Sequence, residues 1–326
     1  MAEFPGYSIA VILPCYNEEA SIAETVQGFQ QALPDAVIWV FDNNSSDKTV
    51  EVARAAGAQI GYEERPGKGN VIRRMFSDVE ADIYVMADGD ATYDPKAAPE
   101  MVRHLTERNL DMVNGARVTE EVAAYRSGHR LGNVVLTGLV QRLFSRRFTD
   151  MLSGYRVMSR RFVKSFPAVS RGFEIETELT VHALQLRMPV GEVPTQYKSR
   201  PEGSSSKLST WADGFRILRM IAFLVKEEKP LPFFLTVAAV VMTPSFVQFV
   251  SVLREFLVTG EVARFPTLFV ALSGFVIAAM AIVSALILDT VSRGRREARH
   301  LAYLRFPGPR AKQTSALPSG SKETAR

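Results

Sequence analysis

Three acids, Asp88, Asp90 and Asp94, fall within the stretch VMADGDATYDP, directly after the apolar run IYVMA. The D-x-D of Asp88 and Asp90 offers hard carboxylate oxygens of the kind that hold Mg2+ or Mn2+, and such an ion can bridge a diphosphate. In an extended chain the two side chains point the same way, so both can face one cation or its nucleotide. Asp94 stands directly before Pro95 and reads as a helix N-cap followed by proline in the first turn. A second set of residues carries related chemistry. PCYNEE supplies Tyr16 and Glu18, and FDNNSSDKT supplies Asp42, giving an aromatic face and acceptor carboxylates suited to a base and a ribose. In RPGKGN, Lys68 lies between two glycines, where backbone and ammonium can approach an anion. The G-x-G-x-x-G dinucleotide fingerprint is absent, as is the G-x-x-x-x-G-K-[ST] phosphate loop. His104, His129, His182 and His300 form no ligand spacing, and the single cysteine, Cys15, excludes an internal disulfide and a cysteine-rich metal site.

Such residues need a rigid platform. From Tyr7 to about Gly115 short apolar runs alternate with helical stretches: YSIAVILP, AVIWVFD, AQIGYE, DIYVMAD and DMVNGA are the runs. Continuous apolar runs between helices predict strands buried on both faces of a doubly wound, mostly parallel α/β sheet. In such sheets ligands bind beyond the carboxyl ends of the strands. The polar exits PCYNEE, DNNSSD and DGDATYD would share that edge. From Val118 to about Ser206 the pattern is less regular, with helices expected near Gly132 to Phe144 and Phe173 to Leu186 and the segment DMLSGYRVMSRRF between them. This region is read as the other wall of the cleft. RPEGSSSKLST is a Gly/Ser-rich loop.

The chain has 326 residues, 47% of them hydrophobic, which excludes a disordered protein. The net charge is only +4, but Arg293, Arg295, Arg296, Arg299, Arg305 and Arg310 crowd the C-terminal end. WADGFRILRMIAFLV has the spacing of an amphipathic helix. Pro232 to Leu253 and Pro266 to Leu288 contain no charged residue. At ~1.5 Å per residue each run covers about 33 Å, close to the ~30 Å hydrocarbon core of a bilayer, and two transmembrane helices are expected. The arginines after the second run place both termini on the cytoplasmic side by the positive-inside rule. The division expected is 1–208 for a cytoplasmic catalytic domain, 209–230 for an amphipathic juxtamembrane helix, 231–290 for a transmembrane hairpin and 291–326 for a basic, disordered tail.

The ordered set PCYNEE, DNNSSDKT, RPGKGN, DGDATYDP, GAR, DMLSGYRVMSRR, FEIETEL, GEVP and SSSKLST, followed by two apolar spans, resembles the inverting GT-A glycosyltransferases that charge polyprenyl phosphates, the dolichyl-phosphate mannose synthase and undecaprenyl-phosphate sugar transferase group. The resemblance runs from about Ser8 to Leu288. It implies a GT-A, Rossmann-like domain and transfer of a sugar, with inversion, from a nucleotide diphosphate to polyprenyl phosphate. Under it Pro14, Tyr16, Glu18 and Asp42 look like nucleotide contacts, and Lys68 like a base or phosphate contact. Asp88 and Asp90 match the family's metal-binding D-x-D, with Asp90 favoured as the ligand. Arg117, in GAR, matches an arginine near the donor. Asp150 matches a carboxylate that acts as base or orients the acceptor. Arg156, Arg200 and Lys207 look like binders of acceptor or donor phosphates, and Glu176 matches an acid whose role stays open. Asp150, Asp90 and Arg117 form the implied catalytic set.

Two positions depart from the family pattern. Asp42-Asn43-Asn44-Ser45 stands where DDGS is common, so the second acid is missing. DGDATYDP stands where DADLQDPP or DADLSHDP is common, bringing in Thr92 and Tyr93. The expected cofactor is Mg2+ or Mn2+. The expected partners are a nucleotide-diphosphate sugar (a UDP-sugar favoured, GDP-mannose open), a polyprenyl phosphate lipid and the bilayer, with no nucleic acid; a homo-oligomer is left open. The expected location is a membrane of bacterial inner-membrane type, with the catalytic domain on its cytoplasmic face. Two rivals remain: a processive polysaccharide synthase, which needs a Q-x-x-R-W motif that QYKSRP does not supply, and a non-catalytic membrane scaffold.

Overall fold

The run IAVILPC forms strand β1 (Ile9–Cys15), whose residues are almost all buried. It lies in the interior of a sheet in which every apolar run of the N-terminal half finds a place. The computed structural model describes residues 3–118, 138, 149–170, 172, 174–198, 226–227 and 229–309. Along the chain, α1 (Ile22–Ala32), β2 (Val37–Asp42), α2 (Thr49–Ala55), β3 (Gln59–Tyr62), α3 (Lys68–Asp78), β4 (Ile83–Met86), α4 (Ala98–Glu107) and β5 (Met112–Val118) follow β1. Beyond them come β6 (Arg156–Ser159), α5 (Arg160–Ser165), α6 (Ile175–Gln185), β7 (Val190–Gln196), α7 (Pro230–Thr259) and α8 (Phe265–Leu304). The chain divides into two compact units, Met1–Gly214 with Arg299–Arg326, and Phe215–Ala298.

In the first unit the seven strands run in the order β3-β2-β1-β4-β6-β5-β7. β1 pairs in parallel with β2 and β4, β2 with β3, and β5 with β7, whereas β6 is antiparallel to both β4 and β5. The mostly parallel α/β sheet expected from the repeated strand and helix pattern is therefore present. Successive side chains on a strand point to opposite faces, and each face has its own core. Ile12, Phe41, Tyr84 and Met158 pack with Val71, Ile72 and Met75 of α3, Phe162 of α5 and Leu179 of α6. Val11, Leu13, Val40, Val85 and Val157 pack with Ile22, Val26 and Phe29 of α1 and Met101, Val102 and Leu105 of α4. Asp94 accepts a hydrogen bond from Lys96 N–H at 3.1 Å with Pro95 opening the 3-10 turn, as the N-cap reading requires. Of the expected helices, the one near 173–186 is α6. The one near 132–144, and the amphipathic helix expected over 209–230, fall outside the described residues apart from Gly138, Lys226, Glu227, Lys229 and Pro230.

One expectation is corrected. Residues 291–304 are not disordered, because α8 continues through them to Leu304. SRGRREARHLAYL is rich in good helix formers, and no proline interrupts it before Pro307. Within the first unit the end of this segment is fastened by buried polar contacts. Tyr303 Oη donates to Asp111 Oδ2 at 2.8 Å, and Arg161 Nη2 donates to the same oxygen at 2.8 Å while its guanidinium lies over the Tyr303 ring. Arg299 donates to Gln185 at 2.6 Å.

In the second unit α7 and the first part of α8 form a helical hairpin closed by Gly260, whose φ of 77° ends α7 in the left-handed region. The buried residues are Pro230, Ala238, Ser245 and Val252 on one helix and Ala271, Gly274, Ala278 and Ala285 on the other. Small side chains allow close approach: a Cβ on Gly274 would collide with Ser245 Oγ. Both helices are long and apolar enough to cross a membrane.

Candidate functional site

β1, β2 and β4 are adjacent, so their carboxyl ends bring three polar loops side by side. Each loop leaves its strand through a non-glycine residue in the left-handed region, Asn17 at φ 54°, Asn44 at φ 62° and Ala91 at φ 57°. Asparagine tolerates that conformation, but alanine is held there against its preference, directly after Asp90. The loops are cross-tied. Asn43 N–H donates to Cys15 O at 3.0 Å, Asn17 N–H to Ser45 Oγ at 2.9 Å and Glu18 N–H to Thr49 Oγ1 at 2.8 Å. Ser21 and Thr25 of the α1 start both donate to Gly89 O, at 3.0 and 3.3 Å, which pins the middle of D-x-D. Gly89 itself fits only because it has no side chain: a Cβ there would collide with Cys15 Sγ. Burial pushes the Cys15 thiol well above its ordinary range, and Glu18, Asp88, Asp42 and Asp90 push it further, so four carboxylates gather at the end of β1.

Lys68 opens α3, and its Nζ lies 2.5 Å from Asp88 Oδ1 and 2.6 Å from Glu176 Oε1. Burial works against the charge of this ammonium, but Asp88 and Glu176 outweigh it and hold its pKa well above the usual lysine range. Asn43 positions the loop that delivers Lys68. Its Nδ2 donates to Glu63 O at 2.7 Å and Arg65 O at 2.9 Å, and its Oδ1 accepts from Gly67 N–H at 2.7 Å. An aspartate could not make those two donations, which gives the departure from DDGS a structural reason. Asp42 accepts from Ser45 N–H through Oδ2 at 3.2 Å, while its buried Oδ1 has no hydrogen-bond partner among the described residues. That oxygen is an acceptor suited to a ring N–H. Tyr16 follows Cys15, which is in register with Asp42, and is 45% exposed, so its ring has a face to offer.

The second wall comes from the segment after residue 149. Asp150 accepts two parallel hydrogen bonds from Arg117, Nε to Oδ2 at 2.6 Å and Nη2 to Oδ1 at 2.8 Å, and a third from Arg117 N–H at 3.2 Å. The Arg117 guanidinium lies 5.4 Å from the centre of the Tyr197 ring. Gly154 adjoins the D-x-D loop: its N–H donates to Tyr93 Oη at 2.8 Å, and a Cβ on it would stand 2.8 Å from Asp88 Oδ2. Tyr93, Asn43, Gly154 and Tyr197 are thus parts of the site that motif reading missed. The Tyr93 substitution within DGDATYDP and the Asn43 departure were the signals available.

A sequence profile described as glycosyl transferase family 2 matches residues 10–166. Glycosyltransferase AglJ of Haloferax volcanii is 32% identical over 229 residues, 70% of this chain and 75% of that protein. The chain belongs to glycosyl transferase family 2. A dolichyl-phosphate hexose transferase of the same organism is 25% identical over 229 residues, 70% of this chain and 99% of that protein. Among solved structures, the glucosyl-3-phosphoglycerate synthase of Mycobacterium tuberculosis in complex with Mn2+ and UDP-glucose superposes with a TM-score of 0.56 at 24% identity, covering 69% of this chain and 80% of that one. That likeness establishes the shared GT-A fold.

For this family 2 member the fit of a divalent cation is tested by the donor set. Among the described residues no group of three or more His, Cys, Asp or Glu is placed to hold a metal. A cation that keeps waters and takes diphosphate oxygens needs only one or two carboxylates, which Asp88 and Asp90 provide. The Lys68 ammonium resting on Asp88 shows that this oxygen already attracts a cation. The donors therefore fit Mg2+ or Mn2+. Asp88 is the more accessible of the two, its side chain 28% exposed, whereas Asp90 is 2% exposed and accepts from Thr92 Oγ1 at 2.6 Å.

Arg156 requires a correction. It is fully buried, and its guanidinium donates to the carbonyls of Ser153, Met151 and Glu176 at 3.1, 2.8 and 2.8 Å. Burial lowers its pKa to about 10, with Glu176 and Asp150 opposing the shift. A guanidinium spent on three carbonyls inside the protein binds no substrate phosphate; it braces the second wall. Pro14 lies in β1 at the edge of the site, and Glu18 in the β1 exit loop. Arg200 and Lys207 lie outside the described residues.

Proposed function

We propose that the protein transfers a hexose from a nucleotide-diphosphate sugar, a UDP-sugar before GDP-mannose, to polyprenyl phosphate with inversion. The observation that carries this reading is the presence, in one family 2 chain, of a site with paired acids and an ammonium and of two helices of 30 and 40 residues apolar enough to cross a bilayer. A dolichyl-phosphate hexose transferase among the relatives and a UDP-glucose and Mn2+ complex among the structural neighbours support it. The arginines that follow the apolar run of α8 support a cytoplasmic catalytic domain.

A phosphate monoester has a second pKa near ~6, so the acceptor oxygen is largely anionic at pH 7. That oxygen attacks the anomeric carbon from the face opposite the diphosphate; the new carbon–oxygen bond forms as the old one breaks, and the electron pair leaves on the diphosphate. No strong base is required. Asp150, with both oxygens on Arg117, orients that arginine toward a phosphate instead of removing a proton. Lys68 offsets charge on the donor phosphates. Asp42 Oδ1 accepts from a base N–H, and Tyr16 covers the ring. A divalent cation held by Asp88 and Asp90 supplies Lewis-acid neutralisation of the leaving diphosphate.

The test is incubation of purified protein with labelled UDP- and GDP-sugars, polyprenyl phosphate and Mg2+ or Mn2+. A chloroform-extractable, acid-labile product carrying a single sugar is expected. A polymer would favour the processive synthase, and no product with any donor would overturn the reading.

A further inference from the structure

We infer that Glu192 is a positioning residue whose carboxylate fixes the main chain of Asp150, and through it the hold of Asp150 on Arg117. The inference rests on reading Arg117 and Asp150 as part of the transfer site, and it gives a role to the acid of GEVP. Glu192 lies on β7, beside Asn114 of β5 in the register of the sheet. From there the two side chains take both main-chain groups of residue 150. Asp150 N–H donates to Glu192 Oε1 at 3.3 Å, and Asp150 O accepts from Asn114 Nδ2 at 2.7 Å. Asn114 Nδ2 also donates to Glu192 Oε1 at 2.9 Å, which ties the two side chains together. Thr149 N–H donates to both carboxylate oxygens, at 3.2 Å to Oε1 and 3.0 Å to Oε2.

An ionised carboxylate only accepts, so it can collect an amide and two successive main-chain N–H groups with no donor of its own to compete. The residue held in this way spends its side chain elsewhere. Asp150 Oδ1 accepts from Leu152 N–H at 3.2 Å, and its two oxygens take the two arms of the Arg117 fork. A fork of parallel hydrogen bonds demands a fixed carboxylate, because a shift of that group disturbs both arms at once. β7 reaches the same pair at its other end. Tyr197, the next residue after the strand, donates its N–H to Val118 O at 3.1 Å and sets its ring 5.4 Å from the Arg117 guanidinium. At position 192 the reach of one oxygen matters more than the charge. Oε1 alone lies within 3.3 Å of all three donors, Asn114 Nδ2, Thr149 N–H and Asp150 N–H.

Reach and charge can be separated. Glu192→Gln keeps one oxygen at full reach and loses the charge, whereas Glu192→Asp keeps the charge and draws the oxygens back by about 1.5 Å. Transfer to polyprenyl phosphate by the full chain in detergent should stay within about threefold of wild type in Glu192→Gln. It should fall about tenfold or more in Glu192→Asp, since a misplacement of ~1 Å can cost ~100-fold. Glu192→Asp added to Asp150→Asn should do no further harm beyond about threefold, because a residue that acts through Asp150 has nothing left to act on. A mere brace of the fold would multiply the two losses. Multiplied losses, a Glu192→Asp protein as active as wild type, or a Glu192→Gln protein as poor as Glu192→Asp would overturn the inference while leaving the transfer reading standing. Amide hydrogen exchange of residues 149–153, followed by mass spectrometry, needs no activity. It should quicken about tenfold or more in Glu192→Asp and keep the wild-type rate in Glu192→Gln; an unchanged rate in Glu192→Asp would overturn the inference. If the wild type forms no product with any donor, the transfer reading falls, and exchange alone decides whether Glu192 holds residue 150.

Discussion

Arg117 and Asp150 face each other through two parallel hydrogen bonds of 2.6 and 2.8 Å, with side chains only 15% and 6% exposed. A carboxylate engaged in that way is half of a rigid unit. Asp150→Asn leaves Arg117 against an amide and should cost about 3 kcal/mol of unfolding free energy, the scale for removing one partner of a buried pair, together with most of the transfer activity. Arg117→Lys keeps the charge but loses the fork, and should cost less stability. Urea unfolding with a parallel transfer assay checks both; an Asp150→Asn protein as stable as wild type would show that the pair does not act as a unit.

Gly89 makes a second prediction. Gly89→Ala forces its new Cβ onto Cys15 Sγ and should destabilise the protein by about 1–3 kcal/mol, the usual cost of overpacking. Adding Cys15→Ala removes the sulfur. The next contacts of that Cβ are Ile22 Cδ1 at 3.3 Å and Cys15 Cβ at 3.8 Å, so the double variant should recover most of the loss in thermal unfolding. No recovery would mean that the constraint on Gly89 lies elsewhere.

Asn43→Asp, which restores the common family residue, should be harmful here. It withdraws two donors from the Glu63 and Arg65 carbonyls and sets a carboxylate beside them, for a loss of about 2 kcal/mol or more. Because the same loop delivers Lys68, binding of UDP measured by calorimetry should weaken as well.

His182 predicts the acid limb. It is 1% exposed, and its Nε2 lies 3.1 Å from Ser165 Oγ. Burial, helped by Arg299, lowers its pKa from 6.5 to about 3. The folded state thus excludes a proton that the unfolded chain binds below about pH 6.5. Stability contributed by the neutral ring is complete above that pH. It falls by ~1.4 kcal/mol for each unit as the pH drops toward the folded value. His182→Phe should flatten this part of the stability profile measured by urea unfolding between pH 6.5 and pH 4.

The strands of the first half were legible because IAVILPC and IYVM, and VIWVFD up to its terminal Asp42, are apolar, the pattern of parallel strands covered on both faces. β6 and β7 were not. RVMS opens on an arginine, and VGEVPTQ mixes glycine, glutamate and proline, so neither has a periodicity to read. Asp88, Asp90, Asp42 and Lys68 could be picked out because strand exits hold polar residues that local structure does not need. Arg156 misled for the same reason. A basic residue inside a recognisable motif reads as a phosphate ligand, and only the fold reveals three carbonyls waiting for it. The helical extension to Leu304 was obscured by its arginines, whose charge suggested a solvated tail although arginine is a good helix former.

The left-handed residues Asn17, Asn44 and Ala91 bend three neighbouring chains away from the ends of β1, β2 and β4. The rim of the cleft is therefore shaped by main-chain geometry and tied by hydrogen bonds between main chain and the side chains of Ser21, Thr25, Asn43, Ser45 and Thr49. A scaffold of that kind separates two evolutionary problems. An exposed side chain such as Tyr16 can be exchanged while the ledge beneath it stays the same, so the lining of this rim can change without the fold having to be solved again.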